Sequence, residues 1–168
     1  MGLIEKIYLK KKDNLAFIDQ ELQVYNRNWY EYHQKFLQNL EFDFILVDLN
    51  NLKWINDTYG HATGDEVLET MTGIAKAIFH RSNDYIVRLG GDEFLVLSPN
   101  YYEVRLAQYL PMEHFSYGIV HHEKGQDLKE CFTEADEKMY EMKQLFHKTH
   151  PTSTVLGRTD FPNMDKKK

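Results

Sequence analysis

Residues 84–97 read DYIVRLGGDEFLVL and contain the clearest structural signal of the chain. Two runs rich in β-branched and aromatic residues flank the pair Gly90–Gly91. A pair of glycines between two such runs is a strong short-range signal for a β-hairpin. The stretch therefore predicts two antiparallel strands joined by a tight turn, with Asp92 and Glu93 at the start of the second strand.

The flanking sequence predicts further strands and helices. Residues 42–47, FDFILV, form a compact apolar run that is typical of a buried strand, and residues 115–121 predict another. Apolar residues at helical spacing predict a helix over residues 28–40 that turns one face to the core, through Trp29, Tyr32, Phe36 and Leu40. A short helix is expected over residues 102–109.

Two longer helices complete the pattern. The tetrapeptide TGDE at residues 63–66 resembles a capping box, so a helix is expected to begin there with Asp65 in its first turn. Residues 127–147 predict a long amphipathic helix with Cys131 on its apolar stripe. A second, polar stripe on that helix carries Asp136, Tyr140, Lys143 and His147. The order of elements predicts an α+β fold, a ferredoxin-like antiparallel sheet with helices on one face.

Composition limits the possible functions. The chain has 168 residues, 42% of them hydrophobic, which suits one domain with a real core. A net charge of -6 argues against a general nucleic-acid binder. A single cysteine excludes a disulfide framework, and no apolar run is long enough to span a membrane. We expect a cytoplasmic protein.

Three carboxylates stand where chemistry is expected. Asp48 ends a predicted buried strand, and if that strand neighbours the hairpin, Asp48 meets Asp92 and Glu93 at one sheet edge. Like charges raise one another's pKa, and Mg²⁺ resolves such a cluster by binding carboxylate and phosphate oxygens. The chemistry indicated is metal-assisted phosphoryl or nucleotidyl transfer. The alternative is an ordinary hairpin turn with solvated acids.

Four blocks in order resemble the GGDEF-domain family, the diguanylate cyclases. They are RLGGDEF at 88–94, VDLNNLKWINDTYGHATGDEVL at 47–68, SYGI at 116–119 and ADEKMYEMK at 135–143. The resemblance implies a fold related to nucleotidyl cyclases and polymerase palms. It also implies condensation of two GTP molecules into cyclic di-GMP and two pyrophosphates, by a Mg²⁺- or Mn²⁺-dependent homodimer.

The resemblance also assigns residues. Asp48, the Leu49 carbonyl, Asp92 and Glu93 match the family's metal-site positions, and Asp92 matches the acid proposed to help deprotonate the attacking 3′-hydroxyl. Gly90 and Gly91 match the glycines that let GTP approach, and Lys143 matches a phosphate-contacting lysine. Asn56 and Asp65 match the guanine-recognition pair. This pair makes chemical sense, because guanine presents N–H donors that need oxygen acceptors.

Other positions qualify the assignment. Arg81 and Asp84 form an R-x-x-D pattern that matches the family's product-binding inhibitory site. An arginine at the end of a helix followed by an aspartate in a turn would give the same pattern. His147 stands where a phosphate-contacting Arg is expected. A rival reading is therefore a catalytically weak GGDEF domain that binds cyclic di-GMP through Arg81 and Asp84. Residues 1–27 are interpreted as an extension or dimerising segment, 28–150 as the catalytic domain and 151–168 as a tail.

Overall fold

The computed structural model of the chain describes residues 16–99 and 114–149. Its strands are β1 (Tyr25–Asn26), β2 (Phe42–Leu49), β3 (Tyr85–Gly90), β4 (Glu93–Ser98) and β5 (Phe115–His122). Its helices are α1 (Arg27–Leu37), α2 (Leu52–Tyr59), α3 (His61–Ile78) and α4 (Leu128–Thr149). The helix expected over 102–109 lies outside the described residues.

The strands form one five-stranded sheet in the order β1-β3-β4-β2-β5. The hairpin β3–β4 and the neighbours of β2 are antiparallel, as predicted. The short strand β1 pairs with β3 in parallel, so the sheet is mixed and the purely antiparallel prediction is wrong in that detail. The α+β class is confirmed.

Helices cover both faces of the sheet, not one as expected. One core contains Ile45, Val47, Phe94 and Val96 from the strands, together with residues of α2 and α3. The other contains Phe44, Leu46, Leu95 and Leu97, together with residues of α1 and α4. Alternating side chains of a strand point to opposite faces, so both faces of β2 and β4 are apolar. That is why β2 reads as a continuous apolar run.

Two helix predictions need correction. In α1 the buried face contains Trp29, Tyr30 and Leu37, whereas Tyr32 and Phe36 are 73% and 51% exposed. The apolar spacing correctly predicted a helix, but it predicted the wrong buried face, which contains Tyr30 and Leu37 instead of Tyr32 and Phe36. The helix also ends at Leu37, three residues before Leu40.

The start of α3 was also predicted wrongly. The helix begins at His61, after Gly60 at φ 91°, and the Thr63 hydroxyl donates to the Tyr59 carbonyl 3.2 Å away, so it caps nothing. Asp65 consequently lies beyond the first turn. The positive φ of Gly60 separates α3 from α2, a helix that the sequence did not predict.

The stripe of α4 is confirmed, with Cys131, Ala135 and Phe146 fully buried. Asp127 precedes this helix, and its side chain accepts from the Lys129 backbone N–H at 2.9 Å.

No helix among residues 16–99 and 114–149 has the length and apolarity needed to cross a bilayer.

Candidate active site at the end of the β2–β4 ladder

The hairpin turn carries the first part of the candidate site. Gly90 pairs with Glu93 at the end of the ladder, so the loop residues are Gly91 and Asp92 and not the two glycines. Gly91 has φ 51°, a left-handed conformation that glycine adopts without strain. Asp92 therefore lies in the turn. Strand β4 begins at Glu93, one residue later than the predicted start at Asp92.

The three predicted acidic residues lie together at the end of the β2–β4 ladder, which is formed by internal strands of the sheet. Asp48 and Glu93 are directly opposite each other in the β2–β4 ladder. The Leu49 N–H donates to the Asp92 carbonyl at 3.2 Å, which fixes the turn against the end of β2. The prediction that these strands are neighbours is thus confirmed.

A lysine of α4 completes this group. The Lys143 ammonium nitrogen lies 2.7 Å from Asp48 Oδ1. The Asp48 side chain is only 10% exposed, against 31% for Lys143. A protein cation thus lies at the carboxylate that was assigned to a metal from the sequence.

Burial dominates the electrostatics of these acids. The pKa of Asp48 rises from 3.8 to about 6, chiefly through burial; the Lys143 ammonium lowers it, and the Asp92 and Glu93 charges add to the rise. Burial likewise raises the pKa of Glu93, with Asp136 and Asp92 adding to the rise and Arg27 and Lys143 opposing it. Removing a carboxylate from water disfavours its charged form, and a nearby cation restores it.

These residues fit a divalent cation that arrives with a nucleotide. No three His, Cys, Asp or Glu side chains in the described part of the chain form a ready-made metal-binding group. Magnesium, however, is usually held by one or two carboxylates plus substrate phosphates. Asp48, Asp92 and Glu93 supply the protein oxygens for that arrangement, and Lys143 at Asp48 indicates where positive charge is favoured.

The predicted base-reading residues lie on neighbouring helices. Asn56 is half-buried on α2, and Asp65 is exposed on α3. Asn56 Oδ1 is buried and has no hydrogen-bond partner in the described part of the chain. An unsatisfied buried acceptor is rare in proteins and costs stability, so it calls for an explanation.

Arg81 and Asp84 lie at the opposite end of β3. The two Asp84 oxygens already accept hydrogen bonds, one from the Ser98 hydroxyl at 2.7 Å and one from the Arg81 backbone N–H at 3.0 Å. Arg81 itself is exposed. These hydrogen bonds are those of an ordinary turn after a helix, the alternative given above for the R-x-x-D pattern. A ligand at Asp84 would have to share the carboxylate oxygens with them.

The other residues predicted to contact nucleotide are accessible. Gly90 and Gly91 are exposed at the hairpin, and neither would place an added Cβ within 4 Å of another residue. His147 is exposed near the end of α4, and its ring meets the buried Phe146 edge-on at a centroid distance of 5.5 Å.

Sequence reasoning missed how the N-terminal segment holds the hairpin. Arg88 donates to Asp19 at 3.2 Å, to Glu21 at 2.7 Å and to the Gly91 carbonyl at 3.1 Å. Arg27 donates to the Leu89 carbonyl at 2.7 Å. Arg88 begins the RLGGDEF block, but nothing in the sequence connects it with Asp19, which lies 69 residues away.

Comparison with known proteins agrees with this geometry. The sequence model of the family described as "Diguanylate cyclase, GGDEF domain" matches residues 14–112, more than half of the chain. The chain belongs to the GGDEF-domain family. This GGDEF chain is 34% identical over 114 residues to the probable diguanylate cyclase DgcJ and 31% identical over 118 residues to the diguanylate cyclase DgcM, both of Escherichia coli K12.

The alignments cover most of this chain but only a small part of these two relatives. The alignments include 60% and 61% of this GGDEF chain but only 23% and 28% of DgcJ and DgcM, so the chain spans about a quarter of these relatives. A microbial GGDEF domain described with bis-(3,5)-cyclic di-GMP is 31% identical, with a TM-score of 0.69, over 77% of this chain and 94% of that one. The coiled coil and GGDEF domain of DgcB from Caulobacter crescentus shares the fold, at 18% identity and a TM-score of 0.69, over 84% and 88%.

Proposed function

We propose that the chain is a diguanylate cyclase domain that joins two GTP molecules into cyclic di-GMP. The observation that carries the proposal is the meeting of Asp48, Asp92 and Glu93 at the end of the β2–β4 ladder, with Lys143 on Asp48. Family membership and the names of DgcJ and DgcM support the same chemistry.

In the proposed reaction, the 3′-oxygen of each GTP attacks the α-phosphorus of the other. Two P–O bonds to the sugars form, two bonds between α- and β-phosphates break, and two pyrophosphates leave. Asp92 is proposed to help accept the 3′-hydroxyl proton. A bound Mg²⁺ or Mn²⁺ would supply positive charge at the reacting phosphate, and Asp48, the Leu49 carbonyl, Asp92 and Glu93 would hold it.

The remaining residues are proposed to bind and orient GTP. Asn56 and Asp65 read the guanine, because its N–H donors need oxygen acceptors. Gly90 and Gly91 leave room for the nucleotide at the hairpin, since no side chain projects there. Lys143 transfers its ion pair from Asp48 to the triphosphate, and His147 faces the same phosphates from one helical turn further along α4.

The proposed enzyme acts as a homodimer, because the reaction needs two GTP molecules facing each other and each subunit holds one. Arg81 and Asp84 are proposed to bind the product and inhibit the enzyme. The domain boundaries given above remain part of this proposal, with residues 16–26 packed against the catalytic domain through Leu22 and Val24.

Incubation with GTP and Mg²⁺, followed by mass spectrometry of the products, tests the proposal directly. We expect cyclic di-GMP and pyrophosphate from the wild type and none from Asp92→Ala. Asp57→Ala, which removes an exposed carboxylate of α2, is the matched control and should keep full activity. Binding of cyclic di-GMP without any synthesis would instead support the binding-module reading.

A further inference from the structure

Gly64 is a glycine whose backbone does not require one. It lies inside α3, it is buried, and its φ is not among the positive values found at Gly60, Gly90, Gly91 and Gly125. Glycine is among the least favourable residues in the interior of a helix. A reason for its presence must therefore be sought in what lies against it.

The neighbour of Gly64 is the side chain of Asn56. A Cβ added at Gly64 would overlap Asn56 Oδ1 and lie 2.8 Å from Asn56 Cγ, closer than real Cβ atoms approach other atoms. The obstacle is the end of a short side chain, not backbone. An alanine at this position would thus displace the Asn56 amide while leaving α2 and α3 in place.

We propose that Gly64 is a positioning residue that seats the Asn56 amide beside Asp65 for recognition of guanine. The inference rests on the proposed function, since it concerns the same base-binding site. Asp65 follows Gly64 directly in α3, so the point at which Asn56 touches the helix also sets its place relative to the Asp65 carboxylate.

The unpartnered oxygen of Asn56 shows why space is needed. Asn56 Oδ1 is buried against Gly64 and accepts no hydrogen bond within residues 16–99 and 114–149. Turning the amide to offer this oxygen to a guanine N–H therefore breaks no hydrogen bond that those residues make. The turn needs room beside the helix, and the hydrogen atom of Gly64 leaves that room where a methyl group would fill it.

Two other glycines, Gly73 and Gly118, can be compared with Gly64. Gly73 lies in the same helix and would place no Cβ within 4 Å of another residue. A Cβ on Gly118, by contrast, would overlap the Ala135 carbonyl and lie 2.9 Å from the Met139 backbone nitrogen. Gly118 therefore allows β5 and α4 to approach each other, which is a packing role. Of these three glycines, only Gly64 meets a side chain assigned to the base.

The experiment is a cycle of Gly64→Ala, Asn56→Ala and the double variant, with Gly73→Ala as control. GTP and ATP affinities are measured by calorimetry, and the thermal midpoint is measured without nucleotide. We expect Gly64→Ala to weaken GTP binding on the order of tenfold and to reduce the preference for GTP over ATP. Gly73→Ala should leave both unchanged and raise the midpoint by about 1–4 °C.

The double variant makes the test decisive. Asn56→Ala removes the obstructing amide, so adding Gly64→Ala should cost no further GTP affinity and should raise the midpoint as Gly73→Ala does. Wild-type GTP affinity in Gly64→Ala, or the same loss with and without Asn56, would overturn the proposal. Failure of the wild type to bind GTP would refute the proposed function and the recognition role, and the thermal cycle would still decide whether Gly64 seats Asn56.

Discussion

Replacing Asp48 by asparagine should stabilise the metal-free protein, and the gain should grow with pH. Asparagine has nearly the same shape as aspartate but never ionises. Burial raises the pKa of Asp48 from 3.8 to about 6, so the folded state holds its proton more tightly than the unfolded chain does. The stability linked to that proton is fully present below pH 3.8 and is lost as pH rises through 6.

The magnitude follows from the two pKa values. With 3.8 in the unfolded chain and about 6 in the folded protein, ionised Asp48 costs the fold about 3 kcal/mol above pH 7. At pH 4.5 the same relation gives about 1 kcal/mol. The stability gap between Asp48→Asn and the wild type should therefore rise from about 1 to about 3 kcal/mol across this range.

Urea unfolding in EDTA at pH 4.5, 5.5, 6.5 and 7.5 measures the gap at fixed protein concentration. Titrating groups that do not interact with Asp48 contribute equally to both proteins and cancel in the difference, whereas Asp92, Glu93 and Lys143 interact with it. Asp57→Asn is the control, because it makes the same substitution at an exposed carboxylate of α2. A gap that is the same at every pH would refute the reasoning, since it would mean that Asp48 titrates alike in the folded and unfolded chains.

Three further predictions concern the nucleotide sites. Asp65→Ser should lower the preference for GTP over ATP in competing turnover by about 10-fold or more, since adenine N1 no longer faces a carboxylate; an unchanged ratio would mean that another residue reads the base. His147→Arg should lower the KM for GTP at neutral pH because a guanidinium stays charged, and an identical KM would make His147 a helix end only. Arg81→Ala should relieve non-competitive inhibition by cyclic di-GMP with the uninhibited rate kept, whereas unrelieved inhibition would leave Arg81 and Asp84 as a turn.

Strands β2 to β5 were predictable because they are short apolar runs with clear ends, whereas the two-residue strand β1 was not predicted. The hairpin turn placed Asp92 and Glu93, and the apolar run ending at Asp48 supplied the neighbouring strand. Their meeting needed only the inference that these strands pair. The Gly-Gly turn was one residue off, because the ladder continues through Gly90 and shifts register after Arg88.

The helices were harder, for identifiable reasons. The eight residues of α2 include Asn56, Asp57 and Thr58, which favour turns as readily as helix. In α1 the exposed Tyr32 and Phe36 are apolar enough to imitate a core stripe. Neither spacing nor propensity reports which side of a helix another element will cover.

Side-chain contacts between distant parts of the chain, unlike the pairing of β2 with β4, could not be predicted. The ion pair of Lys143 with Asp48 and that of Arg88 with Asp19 join residues that only the completed sheet brings together. The seat of Asn56 against Gly64 depends on the angle between α2 and α3. That angle follows from the backbone of Gly60, whose φ of 91° no sequence pattern states.

The attachment of residues 16–26 to the hairpin has a mechanical consequence. Strand β1 pairs with β3, Arg88 donates hydrogen bonds to Asp19 and Glu21, and Arg27 donates one to the Leu89 carbonyl. A pull or twist on the chain ahead of Ala16 would act first on the contacts of Ala16 with Asn26 and of Phe17 with Tyr32, and then on these bonds at the strand that ends in Gly90. Part of the load would reach the turn that carries Asp92 through β3 and Arg88, and part would reach the core through Leu22 and Val24.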